Sequence, residues 1–211
     1  MISADYFREG YRRFRAGRFA EECARYQALA RGQAPRAMVI ACADSRVDPA
    51  TIFAAGPGEL FVVRNVAAIV PPYEEDGRYH GTSAAVEFAV AGLNVEMILV
   101  MGHGLCGGIA ASLAAGDDRP VGRFIAPWVA LLDGCRDELI AREPHMSSPE
   151  RQRALEHMAV QRSLENLMTF PFVAQAVDTG RLKLEGAWFS IADGQLHWLD
   201  WDRGVFEPVA T

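Results

Sequence analysis

Met97-Ile98-Leu99-Val100-Met101-Gly102-His103-Gly104-Leu105-Cys106-Gly107-Gly108 is the stretch on which the fold turns. Met97 to Met101 form an unbroken apolar run of strand length, the pattern of a β-strand covered on both faces. The glycines that follow make a tight turn, and Ile109 to Ala115 reads as a helix. Two further runs behave alike: Ala37-Met38-Val39-Ile40-Ala41 ends at Cys42, and Leu60-Phe61-Val62-Val63 ends at Arg64-Asn65. The pattern predicts an α/β fold with a central, mainly parallel sheet flanked by helices.

Working outward, Tyr6, Phe7, Tyr11 and Phe14 fall at helical spacing, and Phe19, Cys23 and Tyr26 do so again after Gly17. Residues 1–31 therefore read as an N-terminal arm of two amphipathic helices, ended by Gly32 and Pro35. Thr82 or Ser83 is placed to cap a helix through Val90. Phe124 to Leu139 reads as helix. Ser147-Ser148-Pro149-Glu150 has capping-box spacing with a proline just inside the start, and it opens a long helix to about Met168, which Pro171 breaks. Leu182 to Ala192 and Leu196 to Trp201 flank Asp193-Gly194-Gln195 as a C-terminal hairpin. With 211 residues this is one domain, 1–211, comprising the arm and a core over 36–211.

Composition narrows the class. Half of the residues are hydrophobic and 23% are charged, as in a globular protein. A formal net charge of −6, with no basic cluster beyond Arg12-Arg13-Phe14-Arg15, argues against nucleic acid as a partner. The apolar runs fall far short of the ~20 residues that span a bilayer, and the first residues mix charge with aromatics, so the reading is no membrane and a cytoplasmic location. Four cysteines without close pairing suit free thiols in a reducing compartment.

Free thiols at strand ends are candidates for metal binding. Cys42 ends the first run; His103 and Cys106 follow the third, and the carboxyl ends of parallel strands share one edge of a sheet. Two thiolates and an imidazole are ligands that zinc prefers, and three protein ligands with an open fourth position mark a catalytic rather than a structural site. Cys23 and Cys135 lie in helical patterns and read as buried core thiols; His80, His145, His157 and His197 read as surface residues. In Cys42-Ala43-Asp44-Ser45-Arg46, Asp44 is placed to reach the same ion or its water, with Arg46 holding the carboxylate by paired hydrogen bonds.

Two rivals are weighed on the same residues. Gly102-x-Gly104-x-x-Gly107 fits a dinucleotide-binding fingerprint, which would make the chain a nucleotide-binding oxidoreductase. That reading needs a following strand with an acidic end, where Phe124 to Leu139 reads as helix. A cysteine phosphatase would need an arginine six residues after the nucleophile, where Asp48 and Ser112 stand instead.

Cys42-Ala43-Asp44-Ser45-Arg46, Pro57-Gly58-Glu59-Leu60-Phe61-Val62-Val63-Arg64-Asn65-Val66-Ala67 and Gly102-His103-Gly104-Leu105-Cys106-Gly107-Gly108, in this order, closely resemble β-class carbonic anhydrases. Gly32-Gln33-x-Pro35 and Ser163-Leu164-x-Asn166-Leu167 extend the likeness over nearly the whole chain. The resemblance implies a lyase that hydrates carbon dioxide reversibly to bicarbonate and a proton, with Cys42, His103 and Cys106 as zinc ligands and Asp44 and Arg46 as the catalytic dyad. It also implies a substrate pocket with Gln33, Phe61, Val66, Phe88 and Gly107, and a homodimer or dimer of dimers in which N-terminal helices embrace a partner. Asp44 either orients the zinc-bound hydroxide or swings onto the metal as a fourth ligand. Members with a regulatory bicarbonate site share Arg64 but carry Trp and Tyr where this chain has Val39 and Phe189, which favours the open form. The family often has Ser or Thr at the position of Gly104, and its plant-like members Tyr at that of Phe88. A hydrolase of carbon disulfide or carbonyl sulfide on the same scaffold shares these motifs.

Zinc lowers the pKa of a bound water, but two thiolates cancel its formal charge and weaken that effect relative to three neutral histidines. Carbon dioxide hydration is expected to rise on the alkaline side of neutrality, and a flat profile from about pH 6 to 9 would contradict this.

Overall fold

A computed structural model describes residues 2–75 and 80–210. Six strands form one sheet in the order β2-β1-β3-β4-β5-β6, with β1 at Ala37–Cys42, β2 at Leu60–Asn65, β3 at Met97–His103, β4 at Lys183–Phe189, β5 at Leu196–Asp200 and β6 at Val205–Pro208. The first four run parallel, and β5 and β6 complete the sheet antiparallel. The runs of β1 and β3 are buried on both faces, but that of β2, at the edge of the sheet, is only part-buried, with Val62 exposed. Met38, Ile40, Ile98 and Val100 pack into one core with Val86, Val160 and Leu164, while Val39, Ala41, Leu99 and Met101 form another on the opposite side.

The helices are α1 (Ala4–Ala16), α2 (Arg18–Glu21), α3 (Cys23–Leu29), α4 (Pro49–Ile52), α5 (Gly81–Glu87), α6 (Gly107–Gly116), α7 (Ile125–Val129), α8 (Asp133–Arg142), α9 (Ser148–Leu167) and α10 (Pro171–Asp178). Among the described residues, no helix is long and apolar enough to cross a membrane. The capping box of α9 forms as read: Glu150 accepts from the backbone N–H and hydroxyl of Ser147.

Several boundaries differ from the sequence reading. The arm has three helical pieces, because the chain breaks at Glu22 as well as at Gly17. α5 begins at Gly81 without a side-chain cap, so Thr82 lies inside it and not at its start, and it continues as a π-helical turn over Phe88–Gly92. The span read as one helix from Phe124 is α7, a 3-10 turn at Ala130–Leu132 and α8. Pro171 opens α10 at its first turn, where a missing N–H costs nothing, and α9 has already ended. Residues 190–195 form a wider connection than a two-residue Asp-Gly turn, closed by Ser190 N–H donating to Gln195 O at 2.8 Å. β6 had no signal of its own, being a short edge strand.

α9 crosses the sheet where Gly102 faces it. A Cβ on Gly102 would sit 2.7 Å from Val160 Cγ2, so the absence of a side chain lets helix and strand close together. Gly102→Ala is expected to lower stability by ~1–3 kcal/mol through overpacking. Adding Val160→Ala should return part of that loss, measured by chemical denaturation; strict additivity of the two changes would contradict this packing.

Candidate metal centre

β1 and β3 are neighbours, and their register pairs Ala41 with Met101. One residue further on, Cys42 closes β1, and His103 ends β3 at the same edge. The turn after His103 brings back Cys106 as the N-cap of α6, with Leu105 between them in the left-handed region at φ 57°. The Sγ atoms of Cys42 and Cys106 and a ring nitrogen of His103 all lie within 4.8 Å of one another, and the three residues are buried.

The chemistry of these atoms fits a metal ion. His103 Nδ1 lies 2.9 Å from Gly104 O, so its proton is donated there and Nε2 keeps the lone pair. That Nε2 is buried and has no hydrogen-bond partner, a state costly for a polar atom unless a ligand meets it. The two sulfurs stand 3.9 Å apart. Hydrogen bonds from the Cys106 S–H beside it and from the Asp44 and Ala67 N–H groups pull the Cys42 thiol well below the ordinary thiol range. The Cys42 sulfur and burial push the Cys106 thiol far up, against the helix N–H groups of Ile109 and Gly108. Two thiolates side by side in this site need a cation between them.

Asp44 and Arg46 sit beside the cluster. Asp44 Oδ1 accepts from Arg46 N–H and Nε at 2.9 Å each, and Oδ2 accepts from Nη2 at 2.7 Å. Those Arg46 bonds hold the Asp44 carboxyl well below the usual carboxylate range. Asp44 Oδ2 lies 4.0 Å from His103 Nε2, and Arg46 Nη2 also donates to Leu105 O at 3.2 Å. Arg64 fastens the loop after β1 from below, donating to the carbonyls of Cys42, Asp44 and Val47.

The residues read as a pocket are partly brought together. Phe61 and Phe88 meet at a tilt with ring centroids 5.7 Å apart, and Phe88 is half exposed, but Phe61 lies opposite Met38 in the register and not at the Cys42 edge of the sheet. Val66 is exposed beside α6, close enough that a Cβ on Gly108 would lie 2.7 Å from its Cγ1; a Cβ on Gly107 would meet open space. The loop carrying Val66 is held by Asn65, which both accepts from Ile69 N–H and donates to Ile69 O, and by Ser163 and Asn166 of α9, bonded to residues 68 and 70. Gln33 is exposed between α3 and β1, with no hydrogen bond to the cluster among the described residues.

Cys23 and His157 depart from the sequence expectation. Cys135 is a buried core thiol, but Cys23 is half exposed on α3, in an arm that has no core of its own. His157 is not a surface residue: it packs against Phe206 and Trp188, and burial pushes its pKa down to about 4. Sequence reasoning also missed Glu156, only 3% exposed on α9, whose Oε1 accepts from the Cys106 N–H at 3.0 Å. Burial pushes its carboxyl up, against hydrogen bonds from Cys106, Gln152 and Trp188. The signal for it was a charged residue on the same α9 stripe as Leu155, Ala159, Val160 and Ser163.

Fold and cluster together define an α/β protein with a candidate metal site at the carboxyl edge of its parallel strands. The sequence profile of the carbonic anhydrase family matches residues 37–196. The chain belongs to the β-carbonic anhydrase family. It is 36% identical over 189 residues to β-carbonic anhydrase 5, chloroplastic, of Arabidopsis thaliana, covering 90% of this chain and 62% of that protein, so it spans about three-fifths of that relative's length. The structure of the β-carbonic anhydrase CcaA superposes with a TM-score of 0.91 at 29% identity, over 97% of this chain and 98% of that one. A tetrameric β-carbonic anhydrase of Sordaria macrospora matches with a TM-score of 0.84 at 30% identity, over 92% and 95% of the two chains.

His103→Ala, Cys42→Ser or Cys106→Ser is expected to abolish metal binding, read by elemental analysis after dialysis. Cys135→Ser should keep it. Full metal content in the first three would contradict the site.

Proposed function

We propose that this protein is a zinc enzyme that hydrates carbon dioxide reversibly to bicarbonate and a proton, with one Zn2+ per chain held by Cys42, His103 and Cys106. The observation that carries this reading is the buried, unpartnered Nε2 of His103 facing two thiols within 4.8 Å, with a paired Asp44 and Arg46 alongside. Zinc held there would supply Lewis-acid activation of a water near neutral pH.

The chain's own groups orient the attack. Arg46 fixes the Asp44 carboxylate through both oxygens, and remaining lone pairs can accept the hydrogen bond of the attacking water and aim it at the substrate carbon. The low pKa of Asp44 keeps it an acceptor across the neutral range. Val66, against Gly108 of α6, offers apolar surface suited to a linear, nonpolar molecule, with open space at Gly107, whereas the Phe61–Phe88 pair lies back along the sheet, Phe61 being opposite Met38. Engagement of both Asp44 oxygens by Arg46 supports the open form, in which Asp44 stays off the metal. A crystal structure near neutral pH with an Asp44 oxygen bonded to the ion would overturn that form.

The working unit we infer is a homodimer or dimer of dimers. No residue of α1, α2 or α3 is buried, and Tyr6, Phe7 and Tyr11 are each more than 60% exposed, an apolar load that a second copy would cover. In that assembly Gln33 would complete the pocket. A reducing compartment such as the cytoplasm suits the paired thiols.

Stopped-flow hydration of carbon dioxide, with zinc content measured alongside, tests the reading. Activity should accompany one zinc per chain, and Asp44→Asn or Arg46→Ala should lower kcat/KM by roughly 10²-fold or more with zinc retained. One zinc per chain without hydration at about pH 8–9 would redirect the reading to carbonyl sulfide or carbon disulfide. Light scattering should give a dimer or larger, and removing residues 1–31 should yield monomers; a monomeric full-length protein would refute the assembly.

A further inference from the structure

We propose that Glu156 is a positioning residue for the metal ligand Cys106, acting from α9 through the Cys106 peptide and locked in place by Trp188; this rests on the zinc reading above. Glu156 is the buried carboxylate nearest the cluster that the hydration chemistry leaves without a role. Its two oxygens meet only donors. Oε1 accepts from the Cys106 N–H at 3.0 Å and from Gln152 Nε2 at 3.1 Å, and Oε2 accepts from Trp188 Nε1 at 3.1 Å. A group surrounded in this way is used as an acceptor through both oxygens, which the ionised carboxylate provides.

The grip on Cys106 is two-sided. Gln152, one turn before Glu156 on α9, also reaches Cys106 O at 3.4 Å, so one helix face holds both the N–H and the C=O of the ligand residue. Trp188, at the end of β4, then fixes the carboxylate from the far side. Its ring lies against the ligand turn: a Cβ on Gly104 would stand 3.0 Å from Trp188 Cζ2, so a glycine there leaves the indole its room. Leu105 sits at φ 57°, and a turn held in that conformation needs outside contacts to keep it. The chain Trp188 to Glu156 to Cys106 supplies them, and it places a negative charge behind the thiolate. Outer partners of this kind orient a ligand and strengthen its donation to the metal.

Hydrogen-bond polarity gives a test that packing alone cannot imitate. Glu156→Gln keeps the volume but turns one acceptor into a donor, which must then face either Trp188 Nε1–H or the Cys106 N–H. Zinc release to a chromogenic chelator should become ~10–100-fold faster, and the thiolate-to-metal charge-transfer band of the cobalt-substituted protein should shift. Trp188→Phe removes the opposing donor, so the double variant should release zinc more slowly than Glu156→Gln alone.

Wild-type release and an unchanged cobalt band in Glu156→Gln, with one zinc per wild-type chain, would overturn this inference alone. A wild type that holds no zinc would overturn both it and the zinc reading. If Glu156→Gln does not fold, Trp188→Phe alone decides. It strips the donor from Oε2 and leaves the Cys106 bond, and it is expected to release zinc faster with a shifted band; wild-type values for both would refute the role.

Discussion

Two sulfurs 3.9 Å apart in a buried site are the constraint around which the rest of this molecule is arranged. Ionising one thiol makes the second harder to ionise, and burial adds to the resistance, so the pair is at ease only with a cation between them. The sheet creates the problem by placing β1 next to β3, which puts Cys42 and His103 at the same edge. It also creates the solution, because the imidazole arrives with its proton already committed to Gly104 O and its other nitrogen bare.

Holding that arrangement requires backbone that ordinary residues resist. Leu105, Ala67 and Ala68 all have positive φ, and all lie in the two loops that close over the cluster. Each loop has its own restraint. Arg46 takes the Leu105 carbonyl, while Asn65, Ser163 and Asn166 tie down the 66–70 loop so that the Ala67 N–H points at Cys42 Sγ. Arg64 does the same for the stretch after Cys42 by collecting three carbonyls. α9 therefore contributes to both loops although no residue of it belongs to the metal cluster, which ties the long core helix to the site.

What was legible in the sequence follows from locality. Met97 to Met101 and Ala37 to Ala41 announce buried strands through an unbroken apolar run, and Cys42, His103 and Cys106 stand at their ends. Asp44 and Arg46 are two residues apart, so their pairing could be read from spacing. Glu156 could not be read in that way, because its partners Cys106 and Trp188 are 50 and 32 positions away and meet it only after the sheet and α9 have packed. His157 was misread for the same reason: the rings that bury it belong to β4 and β6. The arm was legible as helical, but its breaks were not, since they depend on how Phe14, Phe19 and Tyr26 of the three pieces pack together and how Arg25 meets Pro57 and Glu59.

The glycine pattern that suggested a nucleotide fingerprint has another physical source. In a phosphate-binding turn the glycines make room for a ligand. Here Gly102 makes room for Val160, Gly104 for Trp188 and Gly108 for Val66 and Ala67, so protein atoms already fill the space beside three of the turn's glycines. Of these glycines Gly107 alone borders open space, directly after Cys106 in the chain. After α6 the chain enters α7 and α8 and not a strand, so no carboxylate arrives where a ribose would need one. The same glycine spacing thus serves close helix and ring packing around a turn whose variable positions carry the His103 and Cys106 of the candidate metal site.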